Sequence, residues 1–235
     1  MTSLKEHNKV AFIPFLVAGD PDLDSTGKAL QRLDALGADV IEIGVPYSDP
    51  LADGPVIQNA ATRALEKGTT LDAVLSMIST VSPTIEAPLV MFTYYNPIMR
   101  RGMELFMKQI KEAGASGLLV PDIPLKETRA VRDVCDKHGI ELVLLATPTT
   151  PSGRMEAIAK ASQGFVYLVS VTGVTGVKEQ MESRVEGLVS ALHGMTDKPV
   201  SHRLACIKLI AWIAEGNAGS EMSSYRDRRL YRSRH

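Results

Sequence analysis

Short runs of consecutive apolar residues alternate along the chain with longer stretches in which apolar positions recur every three or four residues. The runs predict strands: Val10 to Val17, broken by Pro14; VIEIGV from Val40; Leu89 to Tyr95; GLLVPDIP from Gly117; ELVLLATP from Glu141; and FVYLVS from Phe165. The periodic stretches predict helices. The first runs from an N-cap at Asp24 or Ser25 to Leu36, with Leu30, Leu33 and Leu36 on one side. Others cover about Pro55 to Lys67, Leu71 to Val81, Met103 to Ala113, Lys126 to His138, Ser152 to Ala161 and Glu179 to His193. Gly37, Gly114, Gly139 and Gly164 fall where a helix gives way to the next strand.

Near-continuous apolar strands alternating with helices mark a parallel sheet covered on both faces. About six such βα units are visible by His193. A doubly wound sheet and a (β/α)8 TIM barrel both fit that alternation. Polar residues gather at the C-terminal ends of several strands, namely Glu42, Tyr94, Asn96, Asp122, Thr147 and Ser170, which is how barrels build sites. No G-x-G-x-x-G follows the first strand, so the commonest doubly wound class lacks its signature.

At 235 residues the chain can bury a sizeable core. A net charge of −1 gives no bulk electrostatic case for nucleic acid or an anionic membrane. Cys135 and Cys206 make neither a disulfide framework nor a zinc pattern, which fits a reducing compartment. No apolar run is long enough to span a bilayer, and MTSLKEHNK has no leader-like core. Asp20, Asp22 and Asp24 alternate like the start of a calcium loop, but Ser25 and Gln31 stand where that loop needs glycine and a bidentate acid. None of the histidines pairs with a cysteine or acid at metal spacing.

The chemistry concentrates in Asp39 to Asn59. Glu42 shares a strand face with Val40 and Gly44, while Ile41, Ile43 and Val45 take the other. A carboxyl buried there should have a raised pKa, which suits a general acid/base; the competing role is a structural ion pair. Asp49 and Asp53 follow in the loop, and spacing alone does not choose between them, since either could cap the next helix. Gly173-Val174-Thr175-Gly176 could bring backbone N–H groups to an anion, or could be an ordinary loop. Tyr94 and Tyr167 are equally compatible with packing.

These segments together resemble the tryptophan synthase alpha subunit family, which includes free-standing plant indole-3-glycerol-phosphate lyases. The resemblance rests on FIPFLVAGDPD from Phe12, IEIGVPYSDPLADGPVIQNA from Ile41, TYYNPI from Thr93, GLLVPDIPLKE from Gly117 and YLVSVTGVTG from Tyr167. It implies a (β/α)8 TIM barrel and a retro-aldol cleavage of indole-3-glycerol phosphate to indole and glyceraldehyde 3-phosphate. It implies that Glu42 is the catalytic acid/base and that Asp53, rather than Asp49, binds the indole N–H. Gly176, with Thr175 beside it, matches a phosphate ligand. Phe15, Tyr94, Leu119 and Tyr167 match residues that line the indole pocket or support the catalytic acid. No cofactor is implied; pyridoxal phosphate would belong to a beta subunit, the expected partner in an alpha–beta heterotetramer. The expected location is cytoplasmic as written, or the plastid stroma if a transit peptide is missing from this chain.

After Lys198-Pro199-Val200 the family pattern stops. Neither G-F-G-I-S nor G-S-A, the ends of its seventh and eighth strands, is present. The expected division is therefore a barrel domain over 1–200 and a partly disordered tail over 201–235, with strands 7 and 8 not recognisable. The edges of the first and sixth strands would lie unpaired, and the chain would be unstable or aggregation-prone. Such an abrupt switch fits a splice variant, a frame shift or a faulty gene model. A weakly active or inactive isoform that only binds the beta subunit is the alternative function.

Overall fold

The computed structural model of the protein describes residues 11–169 and 187–202. In chain order the elements are β1 (Phe15–Val17), α1 (Leu23–Ala35), β2 (Ile41–Gly44), α2 (Pro55–Glu66), α3 (Leu71–Val81), β3 (Leu89–Phe92), α4 (Tyr95–Arg101) and α5 (Met103–Ala113). They continue with β4 (Ala115–Leu119), α6 (Thr128–His138), β5 (Glu141–Ala146), α7 (Ser152–Ala161), β6 (Val166–Leu168) and β7 (Val200–His202). Residues 187–193 are also helical. Every strand pair is parallel, and sheet order follows sequence order from β1 to β7. A doubly wound sheet would reverse its order at a switch point. This one does not, so it is the wall of a barrel, incomplete among the described residues.

Period-two alternation divides each strand between two apolar layers. Ile41, Ile43, Leu89, Met91, Leu118, Leu142 and Leu144 face outward, in one cluster with Leu30 and Leu33 of α1, Val74 and Ile78 of α3, and Phe106 and Ile110 of α5. Val40, Val90, Phe92, Leu119, Val143, Phe165 and Tyr167 form the inner cluster. The α2 helix differs from the other helices. Its buried residues are alanines, and Ala60 and Ala61 pack on Val17 of β1.

Three local expectations change. The cap of α1 is Asp22, whose Oδ1 accepts from Ser25 N at 2.7 Å. Asp24 lies in the first turn instead and pairs with Lys28. Second, the third strand ends at Phe92, not Tyr95, and the α4 helix follows it directly. The run LVMFTYY hides that break. Pro97 sits in the helix's first turn, where a missing N–H costs nothing, and Tyr95 N donates to Asp122 Oδ1 at 2.8 Å. Third, a seventh strand is present. β7 pairs Val166 with Val200, Tyr167 with Ser201 and Leu168 with His202, so β6 is not an edge. Its polar sequence concealed it, because ladder hydrogen bonds come from the backbone whatever the side chains are. Lys198 fixes its entry by donating to Ala159 O and Lys160 O at the C-terminal end of α7, at 3.1 and 3.2 Å. Among the described residues the sheet's edges are β1 and β7. The tail segments after His202 lie outside the described residues.

Gly114, at the junction of α5 and β4, has φ +104°, and a Cβ there would overlap the Ser82 side chain, whose Oγ donates to Ala113 O at 2.9 Å. Gly114→Ala is expected to destabilise the protein by about 2 kcal/mol, measured as a shift of the denaturant midpoint at unchanged slope.

Candidate active site

Glu42 projects from β2 into the inner layer. It is 2% exposed, stands in register with Phe15 on β1 and Val90 on β3, and its backbone N donates to Pro14 O at 2.8 Å. The next inward positions are small where space is needed. A Cβ on Gly44 would meet Phe15 Cζ at 2.6 Å, so the Phe15 ring lies over a residue that must lack a side chain. That ring also meets Phe92 edge-on, with centroids 5.4 Å apart. Gly117, in register with Val90, is similarly confined by Val90 Cγ2 at 3.1 Å. Phe15, Glu42, Leu119 and Tyr167 thus sit on or against one inner face, with Leu119 and Tyr167 buried and Phe15 half-buried.

The loop after β2 separates the two aspartates. Asp49 is exposed and Asp53 half-buried. Tyr94, the N-cap residue of α4 just beyond β3, donates its hydroxyl to Asp53 Oδ2 at 2.9 Å and accepts from Ala52 N at 3.1 Å. Burial, then the negative charge of Asp53, pushes the Tyr94 pKa well above its ordinary 10.0. The phenol therefore stays protonated, and Asp53 is the acceptor in that bond. Tyr47 stacks on Tyr94 with centroids 5.0 Å apart, and Asn96 Nδ2 donates to Tyr47 Oη at 2.9 Å. Tyr47, Gly44 and Phe92 are members of this constellation that the sequence did not single out. The one available signal was position, since Tyr47 falls within VPYSDPLADGP.

Thr147, at the end of β5, is engaged with its own loop: its N–H and Oγ1 both contact Thr150 Oγ1, at 2.9 and 3.0 Å. Asp122 accepts from Tyr95 N rather than pointing a lone acid into the site. Ser170, Thr175 and Gly176 lie outside the described residues. Among the described residues no group of three or more His, Cys, Asp or Glu could hold a metal ion, and no helix is long and apolar enough to cross a membrane.

Parallel strands in sequential order, a carboxyl on the inner face and a second acid in a loop at the strands' C-terminal ends are the layout of a barrel enzyme, whose sites lie at that rim. Comparison with known proteins makes that class specific. The family model for the tryptophan synthase alpha chain matches residues 1–206. Tryptophan synthase alpha chains from Rippkaea orientalis and Arabidopsis thaliana are 58% and 57% identical over 198 residues, 84% of this chain and 74% and 72% of theirs. Among solved structures, tryptophan synthase from M. tuberculosis superposes with a TM-score of 0.79 at 31% identity, covering 87% of this chain and 78% of that one. The tryptophan synthase α2β2 complex from Pyrococcus furiosus gives a TM-score of 0.79 at 33% identity, covering 93% and 95%. The chain belongs to the tryptophan synthase alpha chain family. That family is a lyase family of tryptophan biosynthesis, whose members cleave indole-3-glycerol phosphate to indole and glyceraldehyde 3-phosphate.

The raised Tyr94 pKa has a signed consequence. The neutral phenol is favoured in the folded state, so its contribution to stability is complete below pH 10.0 and is lost as pH rises beyond it. The stability offset between wild type and Tyr94→Phe should therefore be constant up to about pH 9 and shift against wild type above about pH 10.

Proposed function

We propose that this chain performs its family's cleavage with Glu42 as the acid/base and Asp53 as the group that holds the indole N–H. The supporting observation is the pairing of a buried Glu42 on β2 with an Asp53 held by Tyr94, while Asp49 stands exposed. Breaking the bond between indole C3 and the glycerol chain would leave electrons on C3. Protonation of C3 first gives an indolenine, which can accept them. Positive charge builds at N1, and Asp53, accepting the N1–H, favours it. Glu42 supplies the proton and then removes one from the glycerol hydroxyl as the aldehyde forms. Phe15, Leu119 and Tyr167 furnish the apolar wall against the indole ring. Thr175 and Gly176 hold the phosphate end.

The partner in this reading is a pyridoxal-phosphate beta subunit that consumes the indole. Exposed apolar side chains support a docking rim: Leu51 (85% exposed), Val56 (47%), Met99 (51%) and Leu125 (38%) all lie on segments that follow the strands' C-terminal ends. The cytosol or a plastid stroma would suit such a partner.

Indole release from indole-3-glycerol phosphate, with and without beta subunit, tests the reading. Glu42→Gln should lower turnover by about 10²–10⁴-fold. Asp53→Asn should lower it far more than Asp49→Asn. A chain that binds beta subunit but releases no indole under either condition would be a binding isoform, and the catalytic assignment would fall.

A further inference from the structure

The α2 helix carries Asp53 at its entrance, yet packing holds it lightly. Asp53 precedes the helix's N-cap, Gly54. The buried residues of α2 are Ala60, Ala61 and Ala64, and it packs chiefly on β1. The α1 and α3 helices pack on one another and bury leucine, valine and isoleucine side chains instead. Packing through these alanines and Ile57 is thin, and polar ties add to it at both ends of α2.

At the entrance, Gln58 reaches back from the first turn. Its Nε2 donates to the backbone carbonyl of Asp53 at 2.8 Å and to that of Pro50 at 3.4 Å. At the far end, Arg63 grips Asp20 with two parallel bonds, Nε to Oδ1 at 2.9 Å and Nη2 to Oδ2 at 2.6 Å. One turn on, Lys67 donates to Pro21 O at 2.6 Å. The loop that receives these bonds is itself anchored. Gly19 N donates to Thr26 Oγ1 of α1 at 3.0 Å, and that hydroxyl donates to Asp22 O at 2.8 Å. A forked arginine–carboxylate contact fixes orientation as well as distance. The sequence from anchored loop to Arg63, along the helix to Gln58, and on to the Asp53 backbone is continuous.

The geometry points to Gln58 and Arg63 as positioning residues that act on the reaction through Asp53. This rests on the reading of Asp53 as the indole N–H acceptor. Neither residue needs to touch substrate. Their side chains set the height and direction of a carboxylate whose other support, Tyr94, is the N-cap residue of α4. Displacement by about 1 Å at such a group is enough to cost up to about 100-fold in rate.

The test measures binding of indole and of 1-methylindole, which lacks the N–H, to the full chain and its variants. A general loosening weakens both ligands alike, whereas a misplaced Asp53 changes only their ratio. Wild type should prefer indole by about tenfold, the scale of one hydrogen bond to a charged acceptor. Gln58→Ala and Arg63→Ala should reduce that preference to about threefold or less, and the exchange Asp20→Arg with Arg63→Asp should recover part of it. Wild type that does not prefer indole would remove the Asp53 reading itself, and this inference with it. Wild type that prefers indole, with variants that keep its ratio, would overturn the inference alone. Should Arg63→Ala fail to fold, Gln58→Ala at its exposed position decides.

Discussion

A parallel sheet has no wet face, and that constraint governs this molecule. The outward side chains of β2 to β5 are sealed by α1, α3, α5, α6 and α7, and the inward ones meet each other. A carboxyl placed on the inner face is therefore removed from water by the whole fold rather than by any one neighbour. Glu42, at 2% exposure, is in that position. The same constraint explains why glycine recurs inside. Gly44 leaves room for the Phe15 ring, and Gly117 is hemmed by Val90 and the Glu141 carbonyl. Close approach of neighbouring side chains and strands has to be built from absent side chains when the surroundings are close-packed.

The rim follows different rules. There the apolar layers end and hydrogen bonds take over as the means of placing groups. Asp53 is met by Tyr94, the N-cap of α4, and Tyr94 by a backbone N–H from the Asp53 loop, so the two loops hold one another. Tyr47 covers the phenol, which helps to keep water from it. Bonds to a charged acceptor are worth more than neutral ones, and desolvation strengthens them further. The exposed pairs on the helices, such as Lys28 with Asp24 and Lys160 with Glu156, contribute little by comparison. One molecule thus uses burial to place one acid and directed bonds to place the other.

Much of this was legible in the residues. The alternation of apolar runs with helical periods marked parallel βα units, and six of the strands lie where those runs fall. Polar residues at strand ends favoured a barrel, and the sheet order agrees. The long motif around Glu42 chose Asp53 over Asp49, and the structure puts the first half-buried against Tyr94 and leaves the second exposed. Thr175 and Gly176 remain expectations of the sequence. What periodicity could not show were features that depend on backbone bonds or on partners distant in the chain. β7 is held by its ladder and by Lys198, neither of which leaves an apolar pattern. The α4 helix hid behind a run that reads as strand.

Hydrophobic period is local, so the sequence alone determined most of the elements, though not β7 or α4, together with the face on which Glu42 falls and the family to which its motifs point. The tertiary structure decided which loop meets which strand. Tyr94 is 41 residues from Asp53, and Arg63 is 43 from Asp20. No spacing along the chain encodes such contacts, because they exist only once the sheet has curled and brought the strands' C-terminal ends to one rim.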